Sequence, residues 1–145
     1  MNLIDYLNKK NIKYENTSNG LIVAGYLNLD GCTGLIKLPD NLQVGGHLSL
    51  ESCTGLKRLP DNLVIKGDLN LYNCTSLTSL PDNLQVKGNI YLGVCTSLKN
   101  IPDSLKVGGY LYLYGCTLSP FDESKFDIFG EYNIIPNSYR FIIEG

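Results

Sequence analysis

A chain of 145 residues with 43% hydrophobic and 18% charged side chains fits a single globular domain with a modest core, and excludes a disordered chain. No stretch approaches the ~18 apolar residues of a membrane helix, and Met1 to Lys10 lacks the basic start and apolar run of a secretory signal, so a cytoplasmic protein without a membrane partner is expected. The formal net charge of -2 lacks the basic excess that recognition of a nucleic-acid backbone normally shows, which disfavours DNA or RNA as a partner.

From the N-terminus, Leu3, Ile4, Tyr6 and Leu7 fall at helical spacing, which predicts a short amphipathic helix within Asn2 to Lys10. Ile12 to Thr17 then reads as a strand, and Asn19-Gly20 as a hairpin turn into Leu21 to Leu29. Residues 1–20 are expected to form an N-terminal cap on the remainder of the chain.

From residue 21 the chain repeats itself. Cys32, Cys53, Cys74, Cys95 and Cys116 are each 21 residues apart. On the same ruler, Gly25, Gly46, Gly67, Gly88 and Gly109 form a column, as do Leu27, Leu48, Leu69, Ile90 and Leu111, and Leu29, Leu50, Leu71, Leu92 and Leu113. Leu-Pro-Asp recurs at 38–40, 59–61 and 80–82, with Ile101-Pro102-Asp103 as the fourth copy.

Within each unit apolar residues alternate, as in Leu42, Val44, Gly46, Leu48 and Leu50, the signature of a strand with one buried face. A glycine amid that inward series has nothing to pack, so it marks a bend between two short strand pieces. After the cysteine the spacing becomes three, and proline lacks the N–H that a sheet ladder needs, so this segment is the turn and return side of a coil. One unit cannot bury its apolar face alone; five stacked units can. The expected fold is mainly β: one domain, a parallel β-solenoid of five coils over residues 21–118.

The run Leu48-Ser49-Leu50-Glu51-Ser52-Cys53-Thr54-Gly55-Leu56 resembles the L-x-L-x-x-C-x-x-L core of cysteine-containing leucine-rich repeats. The departure is Gly45 in place of the leucine expected three positions before Leu48, with a return segment too short for a full helix. The resemblance therefore implies an LRR-like solenoid with little or no convex helix. Short repeats of this type are also similar to those of small phage and bacterial proteins. What that second resemblance implies is a viral inhibitor that occludes a host protein, such as a defence component, in the host cytoplasm.

After Cys116 the register breaks at Ser119-Pro120, and Phe121, Phe126, Ile128, Phe129, Ile134, Ile135 and Phe141 to Ile143 supply apolar surface without the repeat. Residues 119–145 are expected to form the C-terminal cap of the solenoid.

The residue types that carry chemistry point away from an enzyme. A 21-residue cysteine spacing makes a ladder of buried thiols rather than the converging pairs of a zinc site, and no metal or cofactor is expected. The aspartates after each proline, Asp40, Asp61, Asp82 and Asp103, are turn residues accepting backbone N–H bonds. His47 is the sole histidine, and no nucleophile, phosphate-binding or dinucleotide motif is present, so no catalytic residue is assigned. The basic residues Lys37, Lys57, Arg58, Lys66, Lys87, Lys99 and Lys106 read as a solvated ridge.

What varies is the outward face of the strands before each cysteine. One column runs Tyr26, His47, Asp68, Asn89, Tyr110; the next Asn28, Ser49, Asn70, Tyr91, Tyr112; the third Asp30, Glu51, Tyr72, Gly93, Tyr114. Stacking collects Tyr72, Tyr91, Tyr110, Tyr112 and Tyr114 at one end and Asp30, Glu51 and Asp68, with His47, at the other. Tyrosine is frequent at binding hot spots, because it offers large amphipathic area at small entropic cost. These nine residues are the candidate binding site for a protein partner; the alternative is sequestration of a small ligand, such as a nucleotide, between tyrosine rings.

Overall fold

The computed structural model describes residues 1–102, 104–116 and 118, together with the backbone of Asn133 and Ile134. The expected C-terminal cap otherwise lies outside the described residues.

Helix α1 (Leu3–Lys9) starts at Asn2, whose side-chain oxygen accepts the N–H groups of Ile4 and Asp5 and so satisfies two of the helix's open donors. Its apolar side buries Leu3 and Leu7. A hairpin comes next, pairing β1 (Glu15–Thr17) antiparallel with β2 (Gly20–Val23), with Thr17 opposite Gly20. Its turn is therefore Ser18-Asn19, one residue earlier than the Asn-Gly pattern predicts. The first strand also starts later than expected, at Glu15, because Ile12 and Tyr14 pack against the core instead of joining a ladder.

Each repeat then contributes two short strands on either side of its glycine. These are β3 (Leu27–Asn28), β4 (Gln43–Val44), β5 (Leu48–Ser49), β6 (Val64–Ile65), β7 (Leu69–Asn70), β8 (Gln85–Val86), β9 (Ile90–Tyr91), β10 (Lys106–Val107) and β11 (Tyr110–Tyr112), with β12 (Asn133–Ile134) near the end of the chain. They form two six-stranded sheets, ordered β1-β2-β4-β6-β8-β10 and β12-β11-β9-β7-β5-β3. We call them sheet A and sheet B. Val44 pairs with Ile65, Leu48 with Leu69 and Leu69 with Ile90, a shift of one repeat at every step. The molecule is a parallel β-solenoid of five rungs joined by four turns.

Between the two strands of a rung the glycine column lets the backbone turn while staying bonded along the stack. The N–H of Gly67 donates to the carbonyl of Gly46, and that of Gly88 to Gly67, both at 3.0 Å. A Cβ at Gly67 would lie 2.8 Å from the carbonyl carbon of Gly46, so a side chain at this corner would force the rungs apart.

The interior is a stack of apolar columns. Leu27, Leu48, Leu69, Ile90 and Leu111 lie under sheet B, Val23, Val44, Ile65, Val86 and Val107 under sheet A, and Leu35, Leu56, Leu77 and Leu98 on the return side; all are buried. The return segments among the described residues hold turns rather than a helix, with one isolated parallel bridge between Arg58 and Ser79. The carboxylate of Asp40 accepts the N–H of Asp61 on the next rung. Beside it, Asn41 and Asn62 adopt left-handed φ of 64° and 59°. Their amides form a further ladder, Asn62 Nδ2 donating to Asn41 Oδ1 at 2.8 Å and Asn83 Nδ2 to Asn62 Oδ1.

The residue before each cysteine is also left-handed: Gly31, Ser52, Asn73, Val94 and Gly115, with φ between 59° and 77°. Glycine and asparagine tolerate this conformation, but a β-branched residue is strained in it by ~1–3 kcal/mol. Val94→Asn relieves the strain and extends the ladder in which Asn73 Nδ2 donates to Ser52 Oγ at 3.1 Å. This variant is expected to stabilise the fold by about 1 kcal/mol in urea denaturation; an unchanged or lower midpoint would show that the Val94 turn holds no strain.

Candidate functional site

Of the three variable columns only the middle one lies in the strands of sheet B; the first precedes the strands, apart from Tyr110, and the third falls in the turns that follow them. Hydrogen bonds divide the three into two kinds of residue. In the first column His47, Asp68 and Asn89 each serve the rung ahead. The N–H of Asp68 donates to His47 Nδ1 at 2.7 Å, that of Asn89 to Asp68 Oδ1 at 2.8 Å, and that of Tyr110 to Asn89 Oδ1 at 2.7 Å. The acceptor matters most for the N–H of Asn89, whose bond to Asp68 is partly buried. His47 Nδ1 also lies 3.6 Å from Asp68 Oδ2.

The acidic residues of the first two rungs are tied in the same way. Asp30 Oδ1 accepts the N–H of Glu51 at 2.9 Å and a short bond from the Ser49 hydroxyl. Asn70 Nδ2 donates to Ser49 Oγ at 3.3 Å and to Glu51 Oε2 at 3.2 Å, while its Oδ1 accepts the N–H of Tyr72 at 3.0 Å. Ser49, placed by the alternation on the outward face, is only 5% exposed. The neighbouring polar side chains close over it, because its hydroxyl is the hub of this network. Asn28, Ser49, Asn70 and Asn89 were not singled out by the sequence; the available signal was the recurrence of side-chain acceptors one repeat, or two residues, before a backbone donor.

The tyrosines behave differently. Tyr91 and Tyr112 stack with ring centroids 4.7 Å apart and planes within 7°, and Tyr110 leans on Tyr112 at 5.9 Å. Asn89 Nδ2 donates to the Tyr91 hydroxyl at 3.2 Å and steadies the pair. Burial, followed by Tyr91, Tyr110 and Asp68, raises the pKa of the Tyr112 hydroxyl. Tyr72 lies over Gly93, where a Cβ would come within 2.7 Å of its ring. That glycine, which looks like a gap in the column, is the seat of an aromatic ring. Tyr72, Tyr110 and Tyr114 are exposed around the half-buried pair. The structure thus brings all five tyrosines together on the last three rungs, with Asp68 beside them and His47, Glu51 and Asp30 on the rungs before.

Charge is segregated around the solenoid. The three columns of five residues on sheet B contain Asp30, Glu51 and Asp68 and neither lysine nor arginine. Lys66, Lys87 and Lys106 stand exposed at sheet A, and Lys37, Lys57, Arg58 and Lys99 on the return side. A cleft of about 180 Å³ opens on that return side, lined by Lys37, Pro39, Asp40, Arg58, Pro60 and Asp61.

Cys53, Cys74, Cys95 and Cys116 are buried in the core at the end of sheet B, whereas Cys32 on the first rung is only partly buried, a departure from the expected column of buried thiols. Each buried thiol donates to the carbonyl 24 residues earlier: Cys53 to Leu29, Cys74 to Leu50, Cys95 to Leu71 and Cys116 to Leu92, at 2.8 to 3.1 Å. Burial pushes the thiol pKa of Cys53 and Cys116 up to about 11 and that of Cys74 up to about 12. Among the described residues no group of three or more His, Cys, Asp or Glu is placed to hold a metal ion, and no helix is long and apolar enough to cross a membrane. Comparison with known proteins finds no matching family model, no matching curated sequence and no matching solved structure.

Asp68→Ala leaves the partly buried N–H of Asn89 without its acceptor and is expected to lower stability by ~1–3 kcal/mol. Asp68→Asn, which keeps that acceptor, should leave the urea midpoint within ~0.5 kcal/mol of the parent; equal losses in both variants would refute the ladder. The thiols make stability depend on pH. Their folded pKa values lie above the ordinary 9.0, so the folded chain holds these protons to higher pH than the unfolded chain does. Their contribution is complete below about pH 9 and is lost as pH rises towards 11 and 12. Urea midpoints should fall between about pH 8 and about pH 10.5, and Cys74→Ala should make that fall shallower; the same slope in both proteins would exclude Cys74 as a contributor.

Proposed function

We propose that this chain is a non-enzymatic, LRR-like protein-binding module that presents the tyrosine-rich face of sheet B to a partner protein. The observation that carries the reading is the division of labour on that face. His47, Asp68, Asn70 and Asn89 are engaged in holding rungs together, whereas Tyr72, Tyr110 and Tyr114 stand exposed around a rigid Tyr91–Tyr112 stack. Exposed aromatics on a scaffold whose own hydrogen bonds are satisfied lose little entropy when a partner covers them. The repeat scaffold supports the same reading, since surface residues vary along it without disturbing the core columns.

The similarity of the repeats to those of small phage and bacterial proteins makes the reading more specific: an inhibitor acting in a host cytoplasm by covering a defence protein. Small-ligand sequestration is less well supported. A base held between Tyr91 and Tyr112 needs roughly twice the 3.4 Å stacking separation, and these rings already lie 4.7 Å apart against each other.

Changing Tyr91, Tyr112 and Tyr114 together to Ala is expected to abolish capture of the native partner from its host lysate, with folding monitored by circular dichroism. Undiminished capture by a folded triple variant would remove this face as the binding surface.

A further inference from the structure

Resting on that protein-binding reading, we infer that the junction between the acidic and tyrosine halves of sheet B is a site for an arginine-bearing segment of the partner. The junction falls between the second and third rungs, where the backbones of Glu51 and Tyr72 are adjacent: the N–H of Ser52 donates to the carbonyl of Tyr72 at 2.8 Å. The carboxylate of Glu51 accepts from Asn70 Nδ2 at 3.2 Å, on the rung that carries Tyr72. Two columns across, Asp68 sits on the third rung, its carboxylate accepting the N–H of Asn89.

Arginine fits this combination for three reasons. Its guanidinium is planar and stacks on an aromatic face, and the Tyr72 ring is spread over Gly93 and 43% exposed. The donors at the rim of a stacked guanidinium reach sideways, and Glu51 is the carboxylate of the adjoining rung in the same column, while Asp68, farther along the third rung, is open to a second arginine of the segment. Each already accepts one hydrogen bond, and an ionised carboxylate retains further lone pairs for an arginine. Finally, the columns of sheet B hold three carboxylates and no cation, while Lys66, Lys87 and Lys106 lie at the other sheet. The face therefore attracts a cationic segment and repels a phosphate backbone. An ammonium would gain the charge attraction but not the stacking, so the site prefers arginine to lysine.

The chain itself offers charge-neutral replacements. Asn89 performs for Tyr110 the duty that Asp68 performs for Asn89, so Asp68→Asn keeps the ladder. Glu51→Gln keeps an oxygen to accept the Asn70 amide. The test is an NMR titration of the full chain, at physiological salt, with a short glycine-serine peptide carrying four arginines, and with its lysine and citrulline counterparts.

The arginine peptide should shift the amides of Glu51, Asp68, Tyr72 and Asn89 and bind about tenfold more tightly than the lysine peptide, with the citrulline peptide silent. The double variant Glu51→Gln, Asp68→Asn should weaken binding by about tenfold without moving the urea midpoint, and Tyr72→Leu should erase the arginine preference while Tyr72→Phe keeps it. Equal binding of the arginine and lysine peptides, shifts confined to other faces, or no binding would each overturn the site. So would a single-stranded oligonucleotide that shifts the same amides more strongly than the peptide. The two readings fail separately. A silent peptide with capture still abolished by the Tyr91, Tyr112 and Tyr114 variant sinks the arginine chemistry alone. Normal peptide binding with capture indifferent to those tyrosines sinks the tyrosine surface alone.

Discussion

The structure depends on one constraint: each rung must lie in register on the next, so that residue i rests against residue i+21. In a parallel sheet the backbone donors of one strand are satisfied by its neighbour, and here the neighbour is always one repeat away, as in the bonds from Leu48 to Asp68 and from Leu69 to Asn89. The shared register aligns identical chemistry along the axis. It turns leucines into core columns, glycines into a corner, asparagines into an amide ladder and cysteines into a file of thiols that each reach back to the preceding rung. A shift of one residue would turn these columns out of the core and break all of the ladders together.

That same constraint sets how much of the molecule is legible in its sequence. The period, the five rungs, the buried thiols, the bend at each glycine and the absence of a full helix on the return side all derive from side-chain types at fixed spacing. The aspartate after proline is expected to accept backbone N–H bonds, and Asp40 does so, but from Asp61 on the next rung rather than within its own turn. Binary alternation misplaced Ser49, because it assigns a face and not what closes over that face. His47, Asp68 and Asn89 look like variation in a sequence. They share one property that residue names conceal, a side-chain acceptor at the same height as a backbone N–H one rung on. Gly93 is similar: its role is visible only with the Tyr72 ring in place. The hairpin turn moved by one residue because Gly20 pairs with Thr17 as part of the strand.

The candidate face thereby separates into scaffold and surface. A column whose members differ is ordinarily taken as free to vary, yet on this sheet part of the variation is among groups that can perform one duty. Once those are set aside, the tyrosines of the last three rungs remain as the outward chemistry in and beside the strands. Three of them, Tyr91, Tyr110 and Tyr112, are carried by strands, and Tyr91 is held by the Asn89 amide at its hydroxyl and by the Tyr112 ring on its face, whereas Tyr72 and Tyr114 stand on the turns that follow. A surface of this kind selects by shape and charge rather than by moulding itself to its target.

The ends of the stack have a different logic. An open rung is a template onto which another molecule's rung can add, and repetition of such additions gives a filament. At the start of this chain the template is spoiled twice. On one sheet β1 runs opposite in direction to the strands it covers, with three exposed polar residues, so an incoming rung of the same polarity meets a mismatched edge. On the other, the hydroxyl of Tyr6 occupies the carbonyl of Asn28 at 3.0 Å, an acceptor that a further strand would require. The short N-terminal block thus leaves neither sheet with the open parallel edge that its own rungs stack upon.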